Sequence, residues 1–152
     1  MAAPGPWLRV DDVELDLRLS GKRAALEWLS QRLAVRIGAA QRAVFGALWE
    51  REALGSTALG RGVALPHARL EGLIAPAGAF VRLQQPIAFD APDEQPVAFV
   101  LGLLLPRADP QRQLMLLAGI AGRFSDAGFR DRMAAADDPG TAWSLITGEP
   151  AP

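Results

Sequence analysis

The run 96-PVAFVLGLLL-105 constrains this chain most, because it is apolar at nearly every position and carries no charge. A strand with one wet face alternates apolar and polar residues. An unbroken apolar run reads instead as a central strand covered on both faces. The nine apolar residues from Val97 to Leu105 fall far short of the ~20 needed to span a bilayer, so the segment is expected to be protein core. A strand buried on both faces needs a layer above it and a layer below.

The rest of the chain supplies both layers. Val13, Leu15, Leu17 and Leu19 alternate with Glu14, Asp16 and Arg18, which predicts a half-buried strand over residues 10–19. Ser20 is placed to cap a helix over 22–34, with Leu26, Leu29 and Leu33 at helical spacing. A second helix over 39–53 carries Val44, Phe45, Leu48 and Trp49 on a wide apolar face. A loop containing Gly55, Gly60 and Gly62 then leads into Val63-Ala64-Leu65, which Pro66 holds extended. A strand follows over 77–83, then a turn-rich stretch over 86–92. Asp109-Pro110 opens a helix with Leu114, Leu117, Ala121 and Phe124 on one face. A shorter helix fits 126–136, and Asp138-Pro139 opens a last one that closes at Gly148. The fold expected is α/β: a single-domain layered sandwich with a mixed central sheet flanked by helices, over residues 9–148. Residues 1–8, rich in Pro, Gly and Ala, read as a flexible lead-in, and 149–152 as a tail.

Composition excludes several functions. Sixteen basic and seventeen acidic side chains leave a net charge of −1, without the basic excess of a nucleic-acid binder. The absence of cysteine removes disulfides, thiolate nucleophiles and thiolate metal sites together. With one histidine, a transition-metal site would rest almost wholly on carboxylates, so no metal and no cofactor are expected. The N-terminal MAAPGPWLRVDD lacks the basic and apolar regions of a secretory signal, which together with the short apolar run predicts a cytoplasmic protein with no direct membrane insertion.

The single histidine, His67, stands in 60-GRGVALPHARL-70. A lone histidine beside an apolar run is commonly structural, satisfied by one hydrogen bond. Three neighbours open a second reading. Pro66 stiffens the backbone before the ring, and Gly60 and Gly62 permit positive φ and close approach by another group. Arg51, Ser56 and Thr57 provide a guanidinium and two hydroxyls, the groups that hold phosphate oxygens. Imidazole suits phosphoryl transfer because near pH 7 it keeps a neutral nucleophilic nitrogen.

In order and spacing, 51-REALGSTALGRGVALPHARLEG-72 resembles the active-site segment of phosphotransferase-system (PTS) enzyme IIA domains of the mannitol/fructose class, nearest the stand-alone nitrogen-regulatory form. The likeness continues through 80-FVRLQQPIAFDAPDEQPVAFVLGLLLP-106 and, more weakly, over both flanks. The resemblance implies a phosphotransferase-type phosphocarrier with His67 as phosphoryl acceptor, attacking through Nε2 while a backbone group fixes the other ring nitrogen. It implies that Arg51 neutralises the phosphoryl group and that Ser56 and Thr57 line the site. Glu52 also matches, but as a helix residue it is read as solvated. The implied donor is an HPr-like phosphohistidine carrier, of the nitrogen-branch type, and the regulated targets are not named by the sequence.

The chain departs from that family at one position. Where a second histidine is usual, 109-DPQRQLMLLAGIA-121 has Gln113, whose amide can donate to a phosphoryl oxygen but cannot change charge. Phosphorylation is expected to survive with an altered rate or lifetime. Alternatives are a sugar-specific IIA component feeding a separate IIB for fructose or mannitol, and a non-phosphorylated binding module with the same fold. A hydrolase using His67 ranks below these, for want of a placed acid.

Overall fold

The structure, a computed structural model, describes residues 6–152. The chain runs β1 (Leu8–Leu17), α1 (Lys22–Ile37), α2 (Gln41–Ala53), β2 (Ala58–Gly60), β3 (Val63–Ala64), β4 (His67–Leu70), β5 (Ala77–Ile87), β6 (Val97–Pro106), α3 (Pro110–Phe124), α4 (Ala127–Ala135) and α5 (Pro139–Thr147). The sheet is mixed and its strands lie in the order β1-β5-β6-β3-β2, with β4 also on β6. β1 runs parallel to β5, β5 antiparallel to β6, and β3 and β4 parallel to β6. The expected layered sandwich is therefore the fold observed.

The apolar run is the buried strand β6. One core cluster joins Val100 and Leu104 to Leu26, Leu29, Val44 and Leu48 of α1 and α2. The other joins Leu101, Leu103 and Leu105 to Ile120, Phe124, Phe129 and Trp143 of the last three helices. Successive β6 side chains thus feed opposite cores, which is why none of them is polar. Gly102 lies on the α1 side, where a Cβ would come within 2.8 Å of the Leu29 methyls. Phe124 meets Phe129 edge-on at 5.0 Å in the second core.

β3 and β4 keep one register along β6: Val63 pairs with Phe99, and His67 with Leu103. The break between them falls at Leu65-Pro66. Proline has no N–H to give, Leu65 N–H turns away to Thr57 O at 3.0 Å, and Pro66 O still accepts from Leu103 N–H at 2.9 Å. His67 thus begins β4, on a backbone pinned from both sides.

Several local expectations change. Leu8, assigned to the lead-in, is fully buried at the start of β1, and Trp143 Nε1–H donates to its carbonyl at 2.7 Å. Residues 1–5 of that lead-in lie outside the described residues. Ser20 does not cap α1; extended Gly21 holds the position, with no side-chain bond. Asp109 takes φ 56°, outside the extended region that aims a cap at the first turn, and makes no capping bond. Asp126 and Asp138 do cap, accepting from Phe129 N–H and Thr141 N–H at 2.8 Å each. β5 extends to Ile87 through an irregular pairing that accommodates Pro86, so it takes in the first part of the expected turn. On α3 the inward stripe is Gln113, Ile120 and Phe124, while Leu114, expected inside, is 64% exposed.

Candidate functional site

The site forms where the end of α2, the start of β4 and the first turns of α3 converge. His67 is half-buried and lines two adjoining cavities. The smaller, ≈ 310 Å³, is shared with Arg51, Ser56, Thr57, Leu114 and Leu117. The larger, ≈ 890 Å³, is shared with Arg51, Arg69, Arg107, Gln113 and Leu114. The four residues singled out with His67 from the sequence, Arg51, Ser56, Thr57 and Gln113, therefore line the cavities that His67 joins.

The imidazole is oriented by its own strand. Nδ1 lies 2.9 Å from Leu65 O. A carbonyl only accepts, so the proton sits on Nδ1 and the lone pair on Nε2. Burial pushes the His67 pKa below its ordinary 6.5, and the neighbouring charges of Arg51 and Arg69 push the same way, against the Leu65 bond and Glu52. The ring is thereby kept neutral and nucleophilic near pH 7. Arg51, in the last turn of α2, donates from Nη1 to Gly55 O at 3.0 Å, which pins the guanidinium at the cavity edge and leaves further N–H groups free among the described residues.

The two hydroxyls are committed elsewhere. Ser56 Oγ–H donates to Phe89 O at 2.6 Å, and Thr57 Oγ1–H donates to Glu52 Oε2 at 2.6 Å. A hydroxyl has one proton, so neither has one to give a phosphoryl oxygen while these bonds stand. Gln113, 4% exposed, donates from Nε2 to Ala108 O at 3.3 Å, and its Oε1 has no partner among the described residues.

Glu52 is not a solvated helix residue. It is 6% exposed, and both of its oxygens accept Thr57 N–H at 3.1 Å. Lys22 Nζ sits 2.8 Å from Oε1 and 3.0 Å from Asp90 Oδ2. Burial disfavours the Lys22 ammonium, but the two carboxylates outweigh it and hold its pKa above the usual 10.5. Sequence reasoning missed Lys22 entirely; nothing about a lysine opening a helix signals a partner thirty positions on. Gly60 and Gly62 do not reach either His67 cavity. They serve the β2–β3 hairpin, where Arg61 and Gly62 have φ of 57° and 82° and Arg61 N–H is tied to Asp93 Oδ2 at 2.7 Å. Two backbone bonds, from Arg61 and Gln95, hold the exposed Asp93 below the usual carboxylate range.

Exposed apolar side chains surround the opening. Leu54 is 85% exposed, and Leu59 and Leu114 are exposed with it. No helix among the described residues is long and apolar enough to cross a membrane.

Comparison with known proteins follows the same lines. Residues 7–148 match the family model of the phosphoenolpyruvate-dependent sugar phosphotransferase system, EIIA 2. A nitrogen regulatory protein of Klebsiella oxytoca is 39% identical over 127 residues, covering 83% of this chain and 78% of that protein. The crystal structure of nitrogen regulatory protein IIA-Ntr from Neisseria meningitidis superposes with a TM-score of 0.89 at 33% identity, covering 92% of this chain and 96% of that one. The IIA mannitol structure from Escherichia coli shares the fold at a TM-score of 0.73 and 18% identity, covering 91% and 97%. With nearly its whole length matched and nitrogen regulatory proteins among its relatives, the chain belongs to the PTS EIIA 2 family.

Proposed function

We propose that this protein is a cytoplasmic regulatory phosphocarrier that accepts a phosphoryl group on His67 Nε2 from an HPr-like phosphohistidine carrier of the nitrogen branch. Its phosphorylation state then controls partner proteins. Membership of the EIIA family supports a phosphocarrier role in regulation. The observation that carries the finer reading is the Nδ1 bond to Leu65 O, which leaves the lone pair on Nε2 of a neutral ring beside Arg51.

In the transfer, the Nε2 lone pair attacks phosphorus as the phosphorus–nitrogen bond of the donor breaks. The donor imidazole recovers its electron pair, and the proton of His67 stays on Nδ1, donated to Leu65 O. Arg51 faces the charge on the phosphoryl oxygens, so the work is positioning and electrostatics. The Ser56 and Thr57 hydroxyls reach those oxygens only by leaving Phe89 and Glu52, while the Gln113 amide has a second N–H beside the one given to Ala108 O. The exposed leucines offer the apolar rim against which a carrier docks. Phosphate on His67 adds negative charge to that face and changes what it binds.

The engaged hydroxyls and amide are also what a binding module that has lost transfer would show. Incubation with phosphoenolpyruvate, the general PTS enzyme and a purified HPr-like carrier decides between the two. An acid-labile label on the wild type, absent from His67→Ala, is the result expected. No label on a folded wild type leaves the binding module, and label persisting in His67→Ala refutes the site.

A further inference from the structure

Ser56 and Thr57 stand side by side at the cavity, yet their anchors lie on different parts of the chain. Ser56 Oγ–H is held by Phe89 O, and Thr57 is held by Glu52 through its hydroxyl and its N–H. One side chain joins these anchors. Lys22 Nζ bridges Glu52 Oε1 at 2.8 Å and Asp90 Oδ2 at 3.0 Å, and sits 5.2 Å from the centre of the Phe89 ring. A closed circuit results: Lys22, Glu52, Thr57, Ser56, Phe89, Asp90 and back to Lys22. The Lys22 side chain is 18% exposed and that of Glu52 only 4%, so the pair is shielded from water and from salt.

The chemistry of the circuit favours placement over bulk stability. A nearly buried carboxylate without a cation would be costly, while a well-paired one adds little net stability over an apolar pair of the same shape. It does fix geometry, because Glu52 accepts three bonds from a single residue, Thr57, and Lys22 fixes Glu52. Thr57 O in turn accepts Leu65 N–H, and Leu65 O holds the His67 ring. The chain of contacts from the first residue of α1 to the nucleophile is therefore continuous.

We propose that Lys22 is a positioning residue for phosphoryl transfer at His67, acting through Glu52 on Thr57 and the Leu65 carbonyl. This rests on the phosphocarrier reading above. The circuit sets the orientation of the ring and the site wall.

The test is single-turnover transfer from the phosphorylated HPr-like carrier to the full chain, with donor concentration varied. Lys22→Met is expected to lower the saturating transfer rate roughly tenfold or more, since small misplacements of a reacting group are costly. The donor concentration for half saturation should move less than about twofold, and Lys22→Arg should recover most of the rate. Amide hydrogen exchange at Thr57, read without any transfer, should speed up roughly tenfold in Lys22→Met. A folded Lys22→Met with wild-type rate and Thr57 protection, or one altered only in half saturation, overturns the proposal. Should Lys22→Met not fold, the double variant Lys22→Met/Glu52→Gln removes the unpaired charge, and the same two readings decide on it. A wild type that takes no label overturns the phosphocarrier reading itself, a result distinguishable from unequal variants.

Discussion

Gln113 places a polar oxygen where the fold gains nothing from it, and replacing it with methionine measures that cost. Methionine matches glutamine in length and volume, so the substitution leaves packing on α3 nearly unchanged. Two terms then decide the sign. The variant loses the Nε2 bond to Ala108 O, which at 3.3 Å is longer than an ordinary amide bond and whose acceptor belongs to an exposed residue that water satisfies. That loss is about 0.5 kcal/mol. It gains by removing Oε1, buried without a partner among the described residues, a group that costs about 1–3 kcal/mol. Gln113→Met is therefore expected to be more stable by roughly 0.5–2.5 kcal/mol, a rise in Tm of roughly 1–10 °C for a chain of this size. Urea unfolding with unchanged m-value measures the first and differential scanning calorimetry the second. On the proposed reading the same variant transfers more slowly from the phosphorylated carrier, because the amide lies at the cavity that His67 lines. A variant destabilised by about 1 kcal/mol or more would refute the reasoning, since Oε1 would then be well satisfied.

Two further outcomes follow from the geometry. His67 is expected to titrate below its ordinary 6.5, with burial the first cause, and the single histidine makes the ring resonances direct to follow by NMR; as the unfolded state takes the proton first, His67 costs the fold stability as pH falls from 6.5 to its folded midpoint, and a midpoint at or above 6.5 would contradict the site described. Gly102→Ala forces a Cβ to within 2.8 Å of two methyls of the fully buried Leu29, and should cost about 1–3 kcal/mol by overpacking, less the ~0.5–1 kcal/mol regained on replacing a strand glycine; an unchanged urea midpoint would show that Leu29 moves freely.

What the sequence revealed and what it hid have physical causes. β6 was legible because burial on both faces leaves a mark at every residue, and Asp138-Pro139 because a cap and a fixed φ act locally. Asp109-Pro110 has the same two residues, yet the chain leaving β6 sets Asp109 in a left-handed turn, and the cap is lost to tertiary geometry. Leu114 was placed inside by period, although α3 presents to the core the stripe that includes Gln113 and leaves Leu114 at the cavity. The residues around His67 were legible as a group, since the motif is contiguous between Arg51 and His67. Their hydrogen bonds were not. Glu52 finds Lys22 from another helix, and Ser56 finds Phe89 across the sheet, pairings that exist only once the layers are stacked.

Those pairings bear on what a phosphoryl site of this kind has to achieve. A protein that accepts a phosphoryl group in order to pass its charge on gains nothing by holding that group tightly, because donors that bind the phosphorylated state as strongly as the transition state only deepen the well to be climbed. Among the described residues, Arg51 is the one charged side chain on the smaller cavity, and Ser56 and Thr57 spend their hydroxyl protons inward. On the proposed reading, this arrangement keeps the resting site rigid while leaving attraction for the incoming group to the guanidiniums, Arg51 on the smaller cavity and Arg51, Arg69 and Arg107 on the larger. Gln113 fits the same logic. An amide in place of a titrating ring gives a neighbour whose charge is the same at every pH, so of these two side chains only His67 titrates.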